Sequence, residues 1–257
     1  MNYGSALSSD GTMVRYQMWG RGAPFVVVPG TLTPSNAYRG LVRQLAERHA
    51  VVVLERRGYG VTESGPSPFH FSQQVDDLLA VLNSLPTPAA LFGHSFGGLI
   101  SLAAALADQH AVSELHLYEP PVALLGDALT PLLNRCRRAI DDGRPDAAIR
   151  AALSVSGSPS TSPADVSVEV VERLALLLPG LILDLECVVA MRMPISYWEG
   201  FSRPLTLLRG ELTVGDYRRG IDLLRALYPK ARCEILCGQA HLPSDMSLLV
   251  PLLTSRT

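Results

Sequence analysis

The run Gly93-His94-Ser95-Phe96-Gly97-Gly98 sets a serine between two glycines, each two positions away. A short apolar stretch (89–92) precedes it and an Ala/Leu-rich stretch (96–108) follows. This is the pattern of a nucleophile elbow, in which a serine sits on a sharp strand-to-helix turn and its hydroxyl is pushed into a cleft. The small neighbours are a mechanical requirement, because strand and helix must approach closely on both sides of the turn. The helix that follows aims its positive end and its first amide, that of Phe96, at negative charge developing beside the serine. A serine hydroxyl is a poor nucleophile until a base takes its proton, and histidine is the side chain that titrates near neutral pH. The chain offers six histidines for that role: His49, His70, His94, His110, His116 and His241.

Such chemistry needs a rigid frame. The runs 25–28, 51–54 and 89–92 are apolar throughout, as parallel strands covered on both faces must be. Residues 13–19 alternate apolar and polar after the turn Ser9-Asp10-Gly11 and read as an antiparallel strand. Further strands are expected at 112–118, 205–208 and 233–236. Helical patterns fall at 38–48, 72–84, 96–108, 221–227 and 248–253. The alternation implies a mostly parallel sheet with helices on both faces. One stretch breaks it. Residues 121–200 hold helical patterns at 124–139, 145–153, 166–178 and 181–191, a Ser/Pro/Gly-rich loop at 156–162, and no strand. This reads as a helical cap inserted between two segments of one α/β core, 1–120 and 201–257. Met191, Met193, Tyr197 and Trp198, near the end of the insertion, are expected to roof an apolar pocket.

Taken together, these features resemble the α/β-hydrolase superfamily over nearly the whole chain. Pro29-Gly30-Thr31 stands after the third strand, where the family usually has His-Gly-x. Glu55-Arg56-Arg57-Gly58-Tyr59-Gly60 resembles its Asp-x-Arg-Gly-x-Gly turn. Leu117-Tyr118-Glu119-Pro120-Pro121 resembles the strand end before the cap, and Gly238-Gln239-Ala240-His241 the Gly-x-x-His loop near the C-terminus. The resemblance implies an α/β-hydrolase fold, with a mostly parallel eight-stranded sheet. It implies Ser95 as nucleophile, His241 as base, and the backbone amides of Thr31 and Phe96 as the oxyanion hole. The Thr31 hydroxyl could add a further donor. His94 falls where the family usually keeps a structural residue.

The acid departs from the family. It usually follows the seventh strand, where this chain reads Arg209-Gly210-Glu211-Leu212-Thr213. The acid slots hold Leu212 and Thr213, neither of which can stabilise an imidazolium. Glu119, Asp216 and Glu211 remain. Glu119 leads, because some superfamily members supply their acid from the end of the sixth strand. Relatives with a Tyr-Glu-Pro-Pro pattern often keep a normal aspartate as well, so Glu119 could instead only brace the junction with the cap.

Composition narrows the partners. The 257 residues are 47% hydrophobic and 18% charged, enough for a large core, and the net charge of −2 gives no electrostatic reason to bind nucleic acid or anionic membrane. The basic residues are scattered arginines, with Lys230 the single lysine. No His/Cys cluster has metal-ligand spacing, so no metal and no cofactor are expected. Cys136, Cys187, Cys233 and Cys237 are expected to be reduced and mostly buried. The start of the chain lacks the basic and apolar regions of a secretory signal, and no apolar run approaches the ~20 residues of a membrane span, so a cytoplasmic protein is expected.

The expected activity is hydrolysis of an ester, thioester or lactone of a small hydrophobic substrate. One alternative keeps the site but not the water: a cyclase, acyltransferase or isomerase tailoring a secondary metabolite. Another is a noncatalytic ligand-binding protein on the same scaffold. Haloalkane dehalogenation is disfavoured, since it needs a carboxylate at the elbow.

Overall fold

In the computed structural model the described residues are 2–65, 68–155 and 166–254. Eight strands form one sheet: β1 (Asn2–Leu7), β2 (Met13–Trp19), β3 (Ala23–Val28), β4 (His49–Glu55), β5 (Ala89–His94), β6 (Val112–Tyr118), β7 (Leu205–Gly210) and β8 (Arg232–Leu236). Their order is β1-β2-β4-β3-β5-β6-β7-β8. The pairs β1/β2 and β2/β4 are antiparallel, and all pairs from β4 to β8 are parallel.

The apolar runs are apolar because their residues alternate between two buried faces. Val26, Val28, Val52, Leu54 and Leu91 point to the face covered by α2 (Phe71–Asn83), α3 (Phe96–Ala107) and α8 (Gly215–Leu227). Phe25, Val27, Val51, Val53 and Phe92 point to the other, covered by α1 (Arg39–Leu45) and α9 (Val250–Thr254). Strand β1 carried no sequence signal. It is an edge strand with most of its side chains exposed, so no hydrophobic alternation was required of it.

Between β6 and β7 lie α4 (Thr130–Asp141), α5 (Pro145–Val155), α6 (Val168–Ala175) and α7 (Leu178–Ala190), without a strand among the described residues. They pack on one another around Leu132, Cys136, Ile149, Val171 and Leu181. The expected helix boundary near residue 178 moves because Pro179 opens α7 instead of interrupting a helix, as its missing N–H allows in a first turn. The loop expected at 156–162 lies outside the described residues.

Two expectations change. Trp198 is fully buried in the core beside Phe201 and Leu205, and Met191, Met193 and Tyr197 line a groove against Phe69 and Phe71 rather than the elbow. Cys136 and Cys187 are buried, but Cys233 and Cys237 are exposed, because β8 is the outer strand of its edge. No described helix is long and apolar enough to cross a membrane.

Candidate active site

The carboxyl ends of β5, β6 and β7 meet at Ser95. Its backbone is held at φ 53° and ψ −124°, between the end of β5 and the first residue of α3. The turn is tight. A Cβ on Gly97 would collide with the carbonyl oxygens of Val28 and Pro29, and one on Gly93 would come within 2.6 Å of the Gly98 Cα. Among the described residues, the non-glycines with positive φ are Leu32, Ser95 and Glu119. All three lie on the loops of this one site. Such conformations persist only where the surroundings impose them, and they gather where function requires a side chain to be aimed. Ser95 N–H donates to Tyr118 O at 2.8 Å, and Glu119 N–H to Leu208 O at 3.2 Å, so each strained turn is pinned to the neighbouring strand.

The side chains form one line. Ser95 Oγ lies 2.9 Å from His241 Nε2, and His241 Nδ1 lies 2.7 Å from Glu119 Oε2. Glu119 has no solvent exposure and His241 has 2%. The other Glu119 oxygen accepts from Gly210 N–H at 2.6 Å and from the Thr213 hydroxyl at 2.5 Å. The end of β7 and the loop after it, the family's usual place for the acid, therefore supply donors that hold the Glu119 carboxylate after β6. The two remaining candidates face elsewhere. Asp216 is exposed, 3.9 Å from Arg219, and Glu211 accepts from Gly238 N–H at 2.8 Å at the start of the histidine loop.

Two buried groups fix that loop from behind. Tyr118 donates to Ala240 O at 2.7 Å, and His94 Nε2 lies 2.9 Å from His241 O. A carbonyl can only accept, so His94 carries its proton on Nε2, and Nδ1, 2.9 Å from the Tyr38 hydroxyl, accepts from it. Burial, reinforced by the nearby His241, lowers His94 to about 3, so it stays neutral. The expected structural role of His94 has a geometric basis.

The loop of Gly30, Thr31 and Leu32 faces the elbow across a small cavity of about 80 Å³, which Thr31, Ser95, Phe96 and His241 all line. As the first residue of α3, Phe96 has no acceptor for its N–H within the helix. Arg56 Nη2 donates to Gly30 O at 3.0 Å. Carbonyl and N–H point in opposite directions across a trans peptide, so this bond turns the Thr31 N–H away from Arg56. The Thr31 hydroxyl, expected as a possible further donor, is engaged instead with Asp184 Oδ2, to which it donates at 2.7 Å.

Asp184 is a neighbour of the site that sequence reasoning missed. It is buried on α7, where it meets Arg56 in a fork at 2.7 and 2.8 Å and accepts from the Tyr59 hydroxyl at 2.8 Å. The signal was present: a lone acid inside the apolar run Leu181-Ile182-Leu183-Asp184-Leu185 must find a partner if buried. Arg57 and Glu55 of the same turn look away from the cavity, to Asp77 and Asp10 and to Ser35, and are structural. Tyr217, also missed, lies against His241 with ring centroids 3.6 Å apart. Nothing in the sequence marks it.

A family model described as the alpha/beta hydrolase fold matches residues 23–162. The chain belongs to the α/β-hydrolase family. Among curated relatives, the cis-3-alkyl-4-alkyloxetan-2-one decarboxylase of Shewanella oneidensis is 32% identical over 101 residues, which is 37% of this chain and 32% of the relative. The N-formylmaleamate deformylase of Pseudomonas putida is 28% identical over 123 residues, 47% of this chain and 46% of the relative. Each match thus spans less than half the length of the relative. Among solved structures, an alpha/beta hydrolase from Sphaerobacter thermophilus superposes over 97% of this chain and 98% of its own, with a TM-score of 0.77 and 22% identity. This last likeness establishes the α/β-hydrolase fold of the whole chain, with its mostly parallel sheet.

Proposed function

We propose that this α/β-hydrolase is a serine hydrolase that transfers an acyl group from an ester, thioester or lactone to water. The observation that carries the reading is the hydrogen-bonded line from Ser95 through His241 to buried Glu119. His241 Nε2 takes the hydroxyl proton as Ser95 Oγ bonds to the substrate carbonyl carbon. The oxyanion so formed is held by the amides of Thr31 and Phe96. Glu119 keeps the proton of His241 on Nδ1 and stabilises the imidazolium. The imidazolium then protonates the leaving alcohol or thiol as the carbonyl re-forms, leaving an acyl-serine. Water, deprotonated by the same nitrogen, releases the acid and restores the serine.

In this reading residues 121–200 act as the cap on a core made of 1–120 and 201–257. Helices α4, α5 and α7 supply Leu132, Leu153, Leu181 and Leu185 to the cavity wall. About 80 Å³ is small beside the ~300–1,000 Å³ of sites that bury drug-sized ligands, which favours a short, uncharged acyl group. Asp184, the acid on this wall, is already neutralised by Arg56 and takes no cationic substrate. The relative named as a deformylase is a precedent for acyl removal on this scaffold.

A second reading is favoured by the relative named as a decarboxylase: the same residues carry out a conversion without net addition of water. Mass spectrometry of products formed in H₂¹⁸O separates the two, since hydrolysis puts one labelled oxygen into the released acid. With short-chain esters, Ser95→Ala and His241→Ala should each lower turnover by on the order of 10³-fold or more, because the residues act as a unit. A fluorophosphonate should label the parent and not Ser95→Ala. Unchanged turnover in both variants would overturn the serine mechanism.

A further inference from the structure

Tyr217 is the aromatic neighbour of the base, and nothing in the proposed acyl transfer yet uses it. It sits in the first turn of α8, which begins at Gly215 directly after the loop that holds Glu119. Its ring lies on the His241 imidazole with centroids 3.6 Å apart and planes 26° apart, a stacked arrangement. It also lines the cavity that Ser95 lines. Packing around its hydroxyl and the charge of Glu119 hold the phenol above its ordinary range, so the ring remains a neutral phenol with an intact π face.

We propose that Tyr217 is a positioning residue for His241, whose ring face holds the imidazole in the Ser95–Glu119 line and stabilises the imidazolium formed when Ser95 loses its proton. The inference rests on the serine-hydrolase reading. Its physical content is a difference between two states. A neutral imidazole gains ordinary stacking from the phenol, whereas an imidazolium also meets the negative face of the ring quadrupole. The stabilisation therefore grows as the proton moves, which is the condition for an interaction to raise turnover rather than only affinity.

The other groups facing His241 leave this role open. Glu119 approaches in the ring plane, at Nδ1. Ser95 approaches in the plane at Nε2. His94 lies behind, with ring centroids 5.4 Å apart, and is held neutral, so it adds no opposing charge. Asp184, across the cavity, is neutralised by Arg56. Among the described residues Tyr217 is the aromatic ring stacked face-on against the imidazole.

A merely structural role makes the opposite prediction, which gives the test a sign. If Tyr217 only shields His241 from water, its removal hydrates the imidazolium and makes protonation easier. If its π face stabilises the cation, removal makes protonation harder. The experiment is an NMR titration of the His241 ring proton in the parent, Tyr217→Phe and Tyr217→Leu, together with the pH dependence of kcat/KM on a short-chain ester. Phenylalanine keeps the face and leucine removes it. In Tyr217→Leu the titration midpoint and the acidic limb of the profile should move down by about one pH unit, and kcat should fall about tenfold with KM changed less. Tyr217→Phe should stay near the parent in both. A midpoint that rises or stays fixed in Tyr217→Leu, with the fold verified by thermal melting, overturns the proposal. So does an equal loss in the phenylalanine variant, which would assign the effect to the hydroxyl and its hydrogen bond with Ser95. The titration needs no turnover, so its failure is distinguishable from failure of the serine-hydrolase reading.

Discussion

Replacing Glu119 by glutamine keeps the side chain's shape and removes its charge, and the surrounding donors decide which way the amide turns. In the parent, one oxygen receives Gly210 N–H at 2.6 Å and the Thr213 hydroxyl at 2.5 Å, while the other receives His241 Nδ1–H at 2.7 Å. Glutamine has one oxygen for these two places. An NH₂ set against the Gly210 amide would oppose two donors in a site without solvent, so the oxygen stays there and the NH₂ turns to His241. Nδ1 must then accept, the ring proton moves to Nε2, and the nitrogen facing Ser95 can no longer take its proton. A neutral amide also gives an imidazolium no countercharge. An acid-to-amide change that fixes the wrong tautomer in a serine triad costs about 10⁴ in kcat, or about 5 kcal/mol of transition-state stabilisation. The assay is kcat/KM on a chromogenic short-chain ester, with Asp216→Asn alongside. Asp216→Asn should stay within about twofold, as expected for a surface substitution away from the site. A Glu119→Gln enzyme within tenfold of the parent, or one no worse than Asp216→Asn, would refute the assignment of Glu119 as the acid.

Two further outcomes follow from the buried polar groups around the line. Asp184→Asn leaves the Arg56 guanidinium buried beside a neutral partner, so stability should drop by about 3–5 kcal/mol and the thermal midpoint by on the order of 10 °C; a midpoint within 2 °C of the parent, set against an unfolding cost of about 2–4 °C per kcal/mol, would show that the pair is not a structural bolt. His94 is lowered from 6.5 to about 3 in the folded chain, so below pH 6.5 the unfolded chain takes up a proton that the native one refuses. Stability should therefore fall as pH drops from 6.5 toward 3 and show no His94 contribution above that window; urea unfolding at stepped pH measures this, and a His94→Gln variant with the same acid slope would exclude His94 as its source.

Much of the frame was legible because it is written in local patterns. The strands from β2 to β8 are short apolar or alternating runs bounded by turns, and the side to which each residue points follows from a two-residue period. The edge strand β1 escaped because its exposure removes that signal. Ser95 and the glycines around it were legible for a steric reason, since the turn at φ 53° admits no bulk where α3 passes Val28 and Pro29. The aromatic and methionine residues near 191–198 misled because an apolar side chain has the same sequence signature whether it roofs a site or fills a core.

By itself, then, the sequence determined seven of the eight strands, the elbow and the helical insertion from residue type and spacing, while the short set of acids that could complete the line followed from the resemblance to the α/β-hydrolases. Only the tertiary structure shows which of those acids lies within hydrogen-bonding reach of His241. The choice depends on which carboxylate reaches Nδ1 of a histidine 122 positions away, and that distance is set by the pairing of β6 with β7 and by the strained turn at Glu119. The Arg56–Asp184 pair and the Tyr217–His241 stack are of the same kind. Partners far apart in the chain leave no periodicity, because their contact belongs to the packing of elements and not to any one of them.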